Sequence, residues 1–229
     1  MNEMQRYISQ LNEAQQAPVL QKDGPMIVIA GAGSGKTRVL TVRIANLMSQ
    51  GVDAFNILAL TFTNKAAKEM RERVHHLLNS LPDFYTEGDM PFVATFHSLG
   101  VFLLRRFGVY ETRVKRFTVL DDNDTMSLLK ECYKELGLDV KQHDPRKIKN
   151  VISTCANAGR THTDLQSESN PTYRLAGNVW RLFAGKKRAQ KAVDFDDLLL
   201  ESLRLLETDS EARNWCTSAW KYIHVDEYQ

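Results

Sequence analysis

The sequence predicts an α/β protein in which a parallel sheet, flanked by helices, is interrupted by an inserted all-helical subdomain. Short β-branched runs alternate with helical stripes early in the chain, helical stripes alone fill the middle, and a strand pattern returns at the end. The chain has 229 residues, of which 43% are hydrophobic and 25% charged. This composition is that of an ordinary globular protein and excludes collagen-like, low-complexity and wholly disordered classes.

Four apolar runs are predicted as strands. Met26–Ala30 is a continuous apolar run, as expected of a strand buried on both faces, and the others are Ile57–Phe62, Phe92–Thr95 and Tyr222–Val225. A helical stripe that begins at Leu40 and stops before Gly51 follows the first run. A helix over Lys65–Leu78, capped by Thr63 or Asn64, follows the second.

The middle of the chain predicts a separate helical subdomain. We expect it to span residues 104–190, inserted into a first domain made of residues 1–103 and 191–229, in which Asp194 caps a returning helix. The segment Val101–Lys191 contains 18 Lys and Arg but 10 Asp and Glu, a net charge of +8, whereas the whole chain carries +2. The rest of the chain therefore carries −6. Such a basic segment is equally typical of nucleic-acid binding and of a solvated helical surface.

Targeting and cysteine patterns indicate a cytoplasmic protein. No apolar run approaches the roughly 18 residues of a membrane span, and the first residues lack the basic-then-apolar pattern of a secretion signal. Cys132, Cys155 and Cys216 lie far apart, which predicts neither a disulfide framework nor a zinc site.

A phosphate-binding loop is predicted between the first strand and its helix. Residues 30–37, AGAGSGKT, match the pattern G-x-x-x-x-G-K-[ST] except that Ala30 replaces the first glycine. Glycines let backbone N–H groups converge on phosphate oxygens, while Lys36 reaches the terminal phosphates and the Thr37 hydroxyl binds Mg²⁺. The sequence therefore predicts a P-loop nucleoside triphosphatase.

A carboxylate pair follows the last predicted strand. Because magnesium must be held between Thr37 and an acid, we expect Asp226 to hold the metal, directly or through water. Glu227 is then the candidate base that orients and deprotonates the attacking water.

Six motifs in order resemble those of UvrD/Rep-like superfamily 1 DNA helicases, and the resemblance covers the whole chain. The motifs are LNEAQQAPV at 11–19, AGAGSGKT at 30–37, TFTNKAA at 61–67, TFHS at 95–98, VDFDDLL at 193–199 and VDEYQ at 225–229. This family implies a RecA-like motor domain, 1A, and an inserted helical subdomain, 1B, that faces duplex DNA. It also implies ATP and Mg²⁺ as ligands.

The resemblance assigns roles residue by residue. Gln15 matches the glutamine that reads the adenine edge, and Phe62 could stack on a base of the single strand. The catalytic candidates are Lys36, Asp226 and Glu227, and the metal candidates are Thr37 and Asp226. The ATP-binding candidates are Gln15, Gly31, Ala32, Gly33, Ser34, Gly35, Lys36, Thr37 and Arg38. The DNA-binding candidates are Thr61, Phe62, Thr63, Asn64, Lys65, Thr95, Phe96 and His97. Further phosphate contacts are expected among the basic residues Arg146, Lys147, Lys149, Lys186, Lys187 and Arg188.

The resemblance implies an ATP-driven helicase that translocates on single-stranded DNA, in the 3′-to-5′ direction, and unwinds forked duplexes in repair or replication. Repair or replication proteins are the expected partners. Family members continue for several hundred residues beyond the magnesium motif, so we expect this chain to be an amino-terminal fragment truncated within that motif. Without the second motor domain and its arginines, we expect the fragment to be inactive.

Three alternatives remain open. The chain could belong to a helicase subunit of a helicase–nuclease recombination complex, or it could be a DNA-binding module without catalysis. A phosphate-loop ATPase that acts on protein or RNA is the third, and the single-strand motifs argue against it.

Overall fold

The computed structural model describes residues 3–81, 90–109 and 112–228. It contains two compact units, Met1–Ser98 with Asn214–Gln229, and Leu99–Arg213. In chain order the helices are α1 (Glu3–Ser9), α2 (Glu13–Leu20), α3 (Lys36–Ser49), α4 (Asn64–Asn79), α5 (Phe96–Phe107), α6 (Asp122–Glu135), α7 (Pro145–Asn157), α8 (His162–Gln166), α9 (Pro171–Ala189), α10 (Phe195–Thr208) and α11 (Ser210–Ala219). The strands are β1 (Ile57–Thr61), β2 (Phe92–Thr95), β3 (Thr118–Val119), β4 (Ala192–Val193) and β5 (Tyr222–Val225).

The first unit is built on a parallel sheet of order β2-β1-β5. All five residues of β1 are buried, because helices cover the sheet and strands pair on both sides of β1. Ile44 of α3, Ile57 and Ala59 of β1, and Met70 and Val74 of α4 pack in one apolar core. The predicted strands at 57–62, 92–95 and 222–225 and the helix at 65–78 are confirmed to within one residue at each end, and the fold class is the predicted mixture of helices and parallel strands.

The second unit is mainly helical and has its own core. Leu129 and Tyr133 of α6, Ile152 of α7, and Val179 and Phe183 of α9 are buried together. Side-chain caps fix where these helices begin: residues with short polar side chains accept hydrogen bonds from the free N–H groups of the first turn. The cap residues are Asp121 for α6, Asp144 for α7, Thr161 for α8 and Asn170 for α9. The short parallel pair β3-β4 was not predicted, since two-residue strands carry too little periodicity to detect.

The predicted first strand, Met26–Ala30, is wrong: the segment pairs with none of the described strands. Ile27 is 75% exposed and Ile29 is 95% exposed. A β-branched run favours a strand only where both of its faces find apolar cover. Without this segment, β5 is the edge strand of the described sheet, and its Ile223 is exposed as well.

The compact units also divide the chain at different places from the predicted domains. The predicted boundaries fall at 103/104 and 190/191, whereas the units divide at 98/99 and 213/214, so that β4 and α10 lie with the helical unit. The assignment of these units to functional domains stays a prediction.

Three of the basic residues predicted to contact phosphates form ion pairs with acidic side chains. Lys149 pairs with Asp122 at 3.1 Å, and Lys186 pairs with Glu131 and Glu135. Lys187 is buried between Asp194 and Asp197, at 2.8 and 2.6 Å, so its ammonium cannot reach DNA. The prediction that Lys187 contacts phosphate is wrong, because a run of three basic residues in the sequence does not reveal that one of them points into a helical core. The remaining three candidates, Arg146, Lys147 and Arg188, are exposed.

The buried lysine connects the end of α9 to the start of α10. Asp194 caps α10 by accepting from the Asp197 backbone N–H at 3.0 Å, and Asp197 accepts from the Asp194 N–H at 3.0 Å. One ammonium therefore faces two carboxylates. Burial raises the pKa of Asp197 to about 6, the Lys187 charge opposes that rise, and Asp194 adds to it.

We predict that this cluster makes stability pH-dependent. A folded-state pKa of about 6, above the ordinary 3.8, means that the folded chain binds more protons than the unfolded chain between these values. The Asp197 contribution to the free energy of unfolding is therefore lost as pH rises from about 4 to about 6. Asp197→Asn retains an acceptor for the Asp194 N–H, and it should gain stability relative to wild type across this window. Urea unfolding of both proteins at several pH values measures the difference, and a difference that does not change with pH would contradict the assignment.

We also predict opposite effects for two glycines of α9. A Cβ at Gly177 would lie 2.8 Å from both the His162 carbonyl oxygen and the Gln166 backbone nitrogen of α8, whereas a Cβ at Gly185 meets nothing within 4 Å. Gly177→Ala should lower the free energy of unfolding by about 1–3 kcal/mol through overpacking. Gly185→Ala, the matched control, should raise it by about 0.5–1 kcal/mol because alanine loses less backbone entropy in a helix. Equal effects in urea unfolding would show that α8 and α9 do not approach closely.

Candidate functional site

The predicted phosphate-binding loop lies between Ala30 and the start of α3. Gly33 and Gly35 have φ values of +75° and +84°, which side chains with a Cβ rarely adopt, so the glycines at these positions are required by the backbone path. The Ser34 hydroxyl donates to the Gly31 carbonyl at 2.7 Å and tightens the turn. The loop therefore delivers the backbone directly into the N-terminus of α3, where the first N–H groups of a helix are free to bind anions.

Lys36 is held by its own loop in this structure. Its Nζ donates to the carbonyl oxygens of Ala30 and Gly31, both at 3.1 Å. An ammonium that is already satisfied by two carbonyls can exchange them for phosphate oxygens without leaving the loop. Thr37 follows at the first turn of α3, and the Arg38 guanidinium donates to the Gln10 side chain at 3.3 Å rather than to the loop.

Gln15 contacts the phosphate loop through its amide. Its Nε2 donates to the Ser34 carbonyl at 2.9 Å, and its Oε1 accepts from the Asn12 backbone N–H at 3.2 Å. Asn12 in turn accepts from the Gln15 N–H, which completes a capping box at the start of α2. The amide predicted to read adenine therefore ties α2 to the loop, and it lies beside the phosphate-binding segment.

The carboxylate pair lies at the end of β5. The Asp226 backbone N–H donates to the Leu60 carbonyl at 2.9 Å, so the pairing with β1 continues one residue beyond the strand. This hydrogen bond fixes Asp226 at the carboxyl end of the sheet. Glu227 has a φ of +58°, a left-handed backbone that is uncommon for a residue with a side chain and that is often found at functional sites.

Lys36, Asp226 and Glu227 line one cavity of about 1450 Å³. The cavity is larger than an ordinary ligand pocket, because the Met26–Ala30 segment forms part of its wall instead of pairing with a strand. The structure thus brings the predicted lysine and both predicted carboxylates to one space.

The oxygen donors at this site fit a magnesium ion. Mg²⁺ prefers hard oxygen ligands and keeps several waters and substrate phosphates, so it needs only one or two protein ligands. Asp226 directly follows β5, and Thr37 is the second residue of α3, next to Lys36. Across the described ranges, no group of three or more His, Cys, Asp or Glu side chains forms a complete protein cage.

The predicted DNA-contacting residues follow β1 and β2. Because Thr61 and Thr95 are paired in the parallel register, the loop after Thr61 and the start of α5 after Thr95 lie at the same edge of the sheet, which is also the edge of Asp226. Thr61 and Thr95 themselves are buried and shape their loops: Thr61 Oγ1 donates to the Thr63 carbonyl at 3.1 Å, and the Thr95 hydroxyl accepts from the Ser98 N–H at 3.1 Å.

The residues after these threonines reach the surface. Phe62 is 78% exposed, Phe96 is exposed and His97 is half-buried. Thr63 caps α4 by accepting from the Ala66 N–H at 3.1 Å, while Asn64 and Lys65 form the exposed first turn. An aromatic side chain beside a helix N-terminus suits a single nucleic-acid strand, because the ring can stack on a base and the helix N–H groups can bind a phosphate.

Sequence reasoning missed Arg43 and His224. Arg43 is buried on the apolar face of α3, and its Nε donates to His224 Nε2 of β5 at 3.2 Å. Burial, and next the Arg43 charge, lower the pKa of His224 to about 4, so the imidazole is neutral at pH 7. The available signal was a charged residue four positions from both Val39 and Leu47, on the face that packs inward.

Within residues 3–81, 90–109 and 112–228, none of the helices combines the length and the apolar character that a bilayer span requires. Cys132, Cys155 and Cys216 all lie in the described part of the chain, and none of them forms a disulfide there.

Comparison with known proteins agrees with this geometry. Residues 11–229 match the family model described as UvrD/REP helicase N-terminal domain. The chain is 38% identical over 228 residues to the ATP-dependent DNA helicase PcrA of Staphylococcus epidermidis, and 36% identical over 228 residues to that of Staphylococcus aureus strain Mu50. Each match covers 99% of this chain and 30% of the relative, so the chain spans about a third of the length of these proteins. The chain therefore belongs to the UvrD/REP helicase family and carries its N-terminal domain.

Proposed function

We propose that this chain provides the ATP-binding motor part of a DNA helicase that translocates on single-stranded DNA and unwinds duplexes. The observation that carries the proposal is the single cavity lined by Lys36, Asp226 and Glu227 in a chain with the UvrD/REP domain. The 3′-to-5′ direction and a role in repair or replication are parts of the proposal that rest on resemblance to the family.

ATP would bind with its phosphates in the loop before α3. Lys36 exchanges the carbonyls of Ala30 and Gly31 for terminal phosphate oxygens, and the N–H groups at the start of α3 stabilise the negative charge. The amide of Gln15 contacts Ser34 of the loop, and in this proposal it would hydrogen-bond the adenine edge.

Hydrolysis would take place beside the end of β5. Thr37 and Asp226 supply oxygen ligands for Mg²⁺, which when bound neutralises charge on the phosphates. Glu227 orients a water molecule toward the γ-phosphate and accepts its proton. Glu227 follows Asp226 directly and has a left-handed backbone, with a φ of +58°.

Single-stranded DNA would bind along the loop that follows β1 and the start of α5, which follows β2. Phe62 offers an exposed face for base stacking, and the first turn of α4 offers backbone N–H groups for a phosphate. Since β1 lies between β2 and β5, one strand pairing separates the end of β1 from Asp226, and two separate the end of β2 from it.

Activity is expected to need more than these residues. The resemblance implies a second motor domain whose arginines touch the γ-phosphate, and this chain covers 30% of its relatives. Such arginines supply much of the transition-state stabilisation in phosphoryl transfer. We infer that the 229-residue chain alone neither hydrolyses ATP appreciably nor unwinds DNA.

We predict that ATP hydrolysis by the full-length natural protein is strongly stimulated by single-stranded DNA and is lost in Lys36→Ala. The lost charge and hydrogen bonds should reduce turnover by at least about 100-fold. Phosphate release, measured with and without DNA, tests this, and the 229-residue chain should give no turnover in the same assay. Hydrolysis indifferent to DNA would favour an ATPase that acts on protein or RNA.

We further predict that Phe62→Ala weakens binding of single-stranded DNA by about 1–3 kcal/mol, the range for one base–aromatic stack. Phe55 is the matched control because it is equally exposed, at 77%, but precedes β1 and so lies at the opposite edge of the sheet. Fluorescence anisotropy with a labelled oligonucleotide measures both variants. If Phe55→Ala weakens binding as much as Phe62→Ala, the DNA path does not follow the carboxyl edge.

A further inference from the structure

Arg43 joins three parts of the first unit. It lies in α3, two turns after the phosphate loop, and is 8% exposed. Its Nη1 donates to the Pro18 carbonyl at 2.6 Å and to the Gln21 carbonyl, and its Nη2 donates to the Lys22 carbonyl at 3.3 Å. Its Nε donates to His224 at 3.2 Å. One guanidinium therefore holds the C-terminal end of α2 and the middle of β5 together.

The partners of this guanidinium are unusual for a buried cation. No carboxylate among the described residues lies within ion-pair distance of Arg43, and Asp23 is the acid that acts on it from farther away. Burial accordingly lowers the pKa of Arg43. The carbonyls at the end of α2 are groups that a helix leaves unsatisfied, and they carry its negative dipole end. They stabilise a cation whose planar fork can meet several oxygens at once.

Simple attachment of α2 to α3 does not require Arg43. Asn46, one turn farther along α3 and also buried, donates to the Val19 carbonyl at 3.0 Å and already joins the two helices. The Asn46 amide thus contacts α2, whereas Arg43 contacts α2 and also reaches His224 of β5. A buried charge costs free energy compared with an apolar side chain of similar volume. Because Asn46 already joins α2 to α3, the contact with β5 is what distinguishes Arg43 from Asn46.

We propose that Arg43 is a positioning residue. It holds Gln15, at the base-reading end of the ATP site, and the catalytic carboxylates after β5 in fixed positions relative to each other. The proposal rests on the proposed ATP site. Through α2, Arg43 orients Gln15 at the opposite end of that helix. Through His224, it orients the strand that delivers Asp226 two residues later. Arg43 and His224 line the same cavity as Lys36 and Asp226, and in this role Arg43 acts through α2 and through His224.

Hydrogen exchange of the nucleotide-free chain tests the link by itself. Arg43→Met should speed amide exchange roughly tenfold in both α2 and β5, because each loses an anchor. His224→Leu removes only the β5 contact and should affect residues 222–228 alone. Asn46→Leu, the matched control, removes a buried contact to α2 and should affect residues 13–20 alone. Faster exchange in only one element of Arg43→Met would overturn the link.

Steady-state ATP hydrolysis by the full-length natural protein tests the consequence. Misplaced carboxylates should lower kcat by roughly 10- to 100-fold in His224→Leu with KM unchanged within about twofold. Asn46→Leu should raise KM severalfold with kcat unchanged within about twofold, and Arg43→Met should change both. A general loss of stability would move the three variants alike, so that outcome would overturn the proposal.

The proposed function and this inference fail in different ways. If Lys36→Ala hydrolyses ATP as well as wild type does, the ATP site is misplaced whatever the exchange data show. If Lys36→Ala is inactive while His224→Leu retains its kcat, the ATP site stands and the positioning role of Arg43 is wrong.

Discussion

The parallel pairing of β1 with a strand on each side is the constraint on which the rest of the first unit depends. Parallel strands end at the same edge, so β1 places the loop after Thr61 between the start of α5, which follows Thr95, and the carboxylates after Val225. The five buried residues of β1 leave the strand no freedom to slip, because a shift of one residue would turn its side chains to opposite faces. Thr61 and Asp226, which lie far apart in the sequence, thereby reach the same edge of the sheet.

The site itself is assembled from groups that satisfy one another before any ligand binds. Lys36 uses the carbonyls of its own loop, and Gln15 both completes a helix cap and holds Ser34. In the proposed ATP complex, each of these hydrogen bonds would be exchanged for one to the nucleotide, so that binding would replace partners rather than create buried charges. The loop is therefore preorganised in its backbone, through Gly33 and Gly35, while its polar side chains remain exchangeable.

Much of this could be predicted from the sequence, and the exceptions have physical causes. The strands at 57–61, 92–95 and 222–225 were predictable because each is short, apolar and bounded by turn or cap residues. Met26–Ala30 has the same local pattern and was not a strand, since propensity does not report whether a sheet edge and two apolar covers are present. Lys187 and Arg43 show the converse. A charged residue is predicted to lie at the surface, yet both side chains are buried, because carboxylates surround Lys187 and backbone carbonyls surround Arg43. Such partners come from other elements and cannot be located by periodicity.

The Met26–Ala30 segment and the phosphate-binding loop share Ala30. Ala30 is both the last residue of the Met26–Ala30 segment and an acceptor for Lys36, so a phosphate that draws Lys36 away also releases a carbonyl of that segment. The same segment lines the cavity together with β5, whose Ile223 is exposed, and its own Ile27 and Ile29 are exposed as well. The free energy of the chain falls when apolar side chains that line one cavity are removed from water together. The segment therefore contributes both exposed apolar side chains and a hydrogen-bond acceptor for Lys36 to the same cavity.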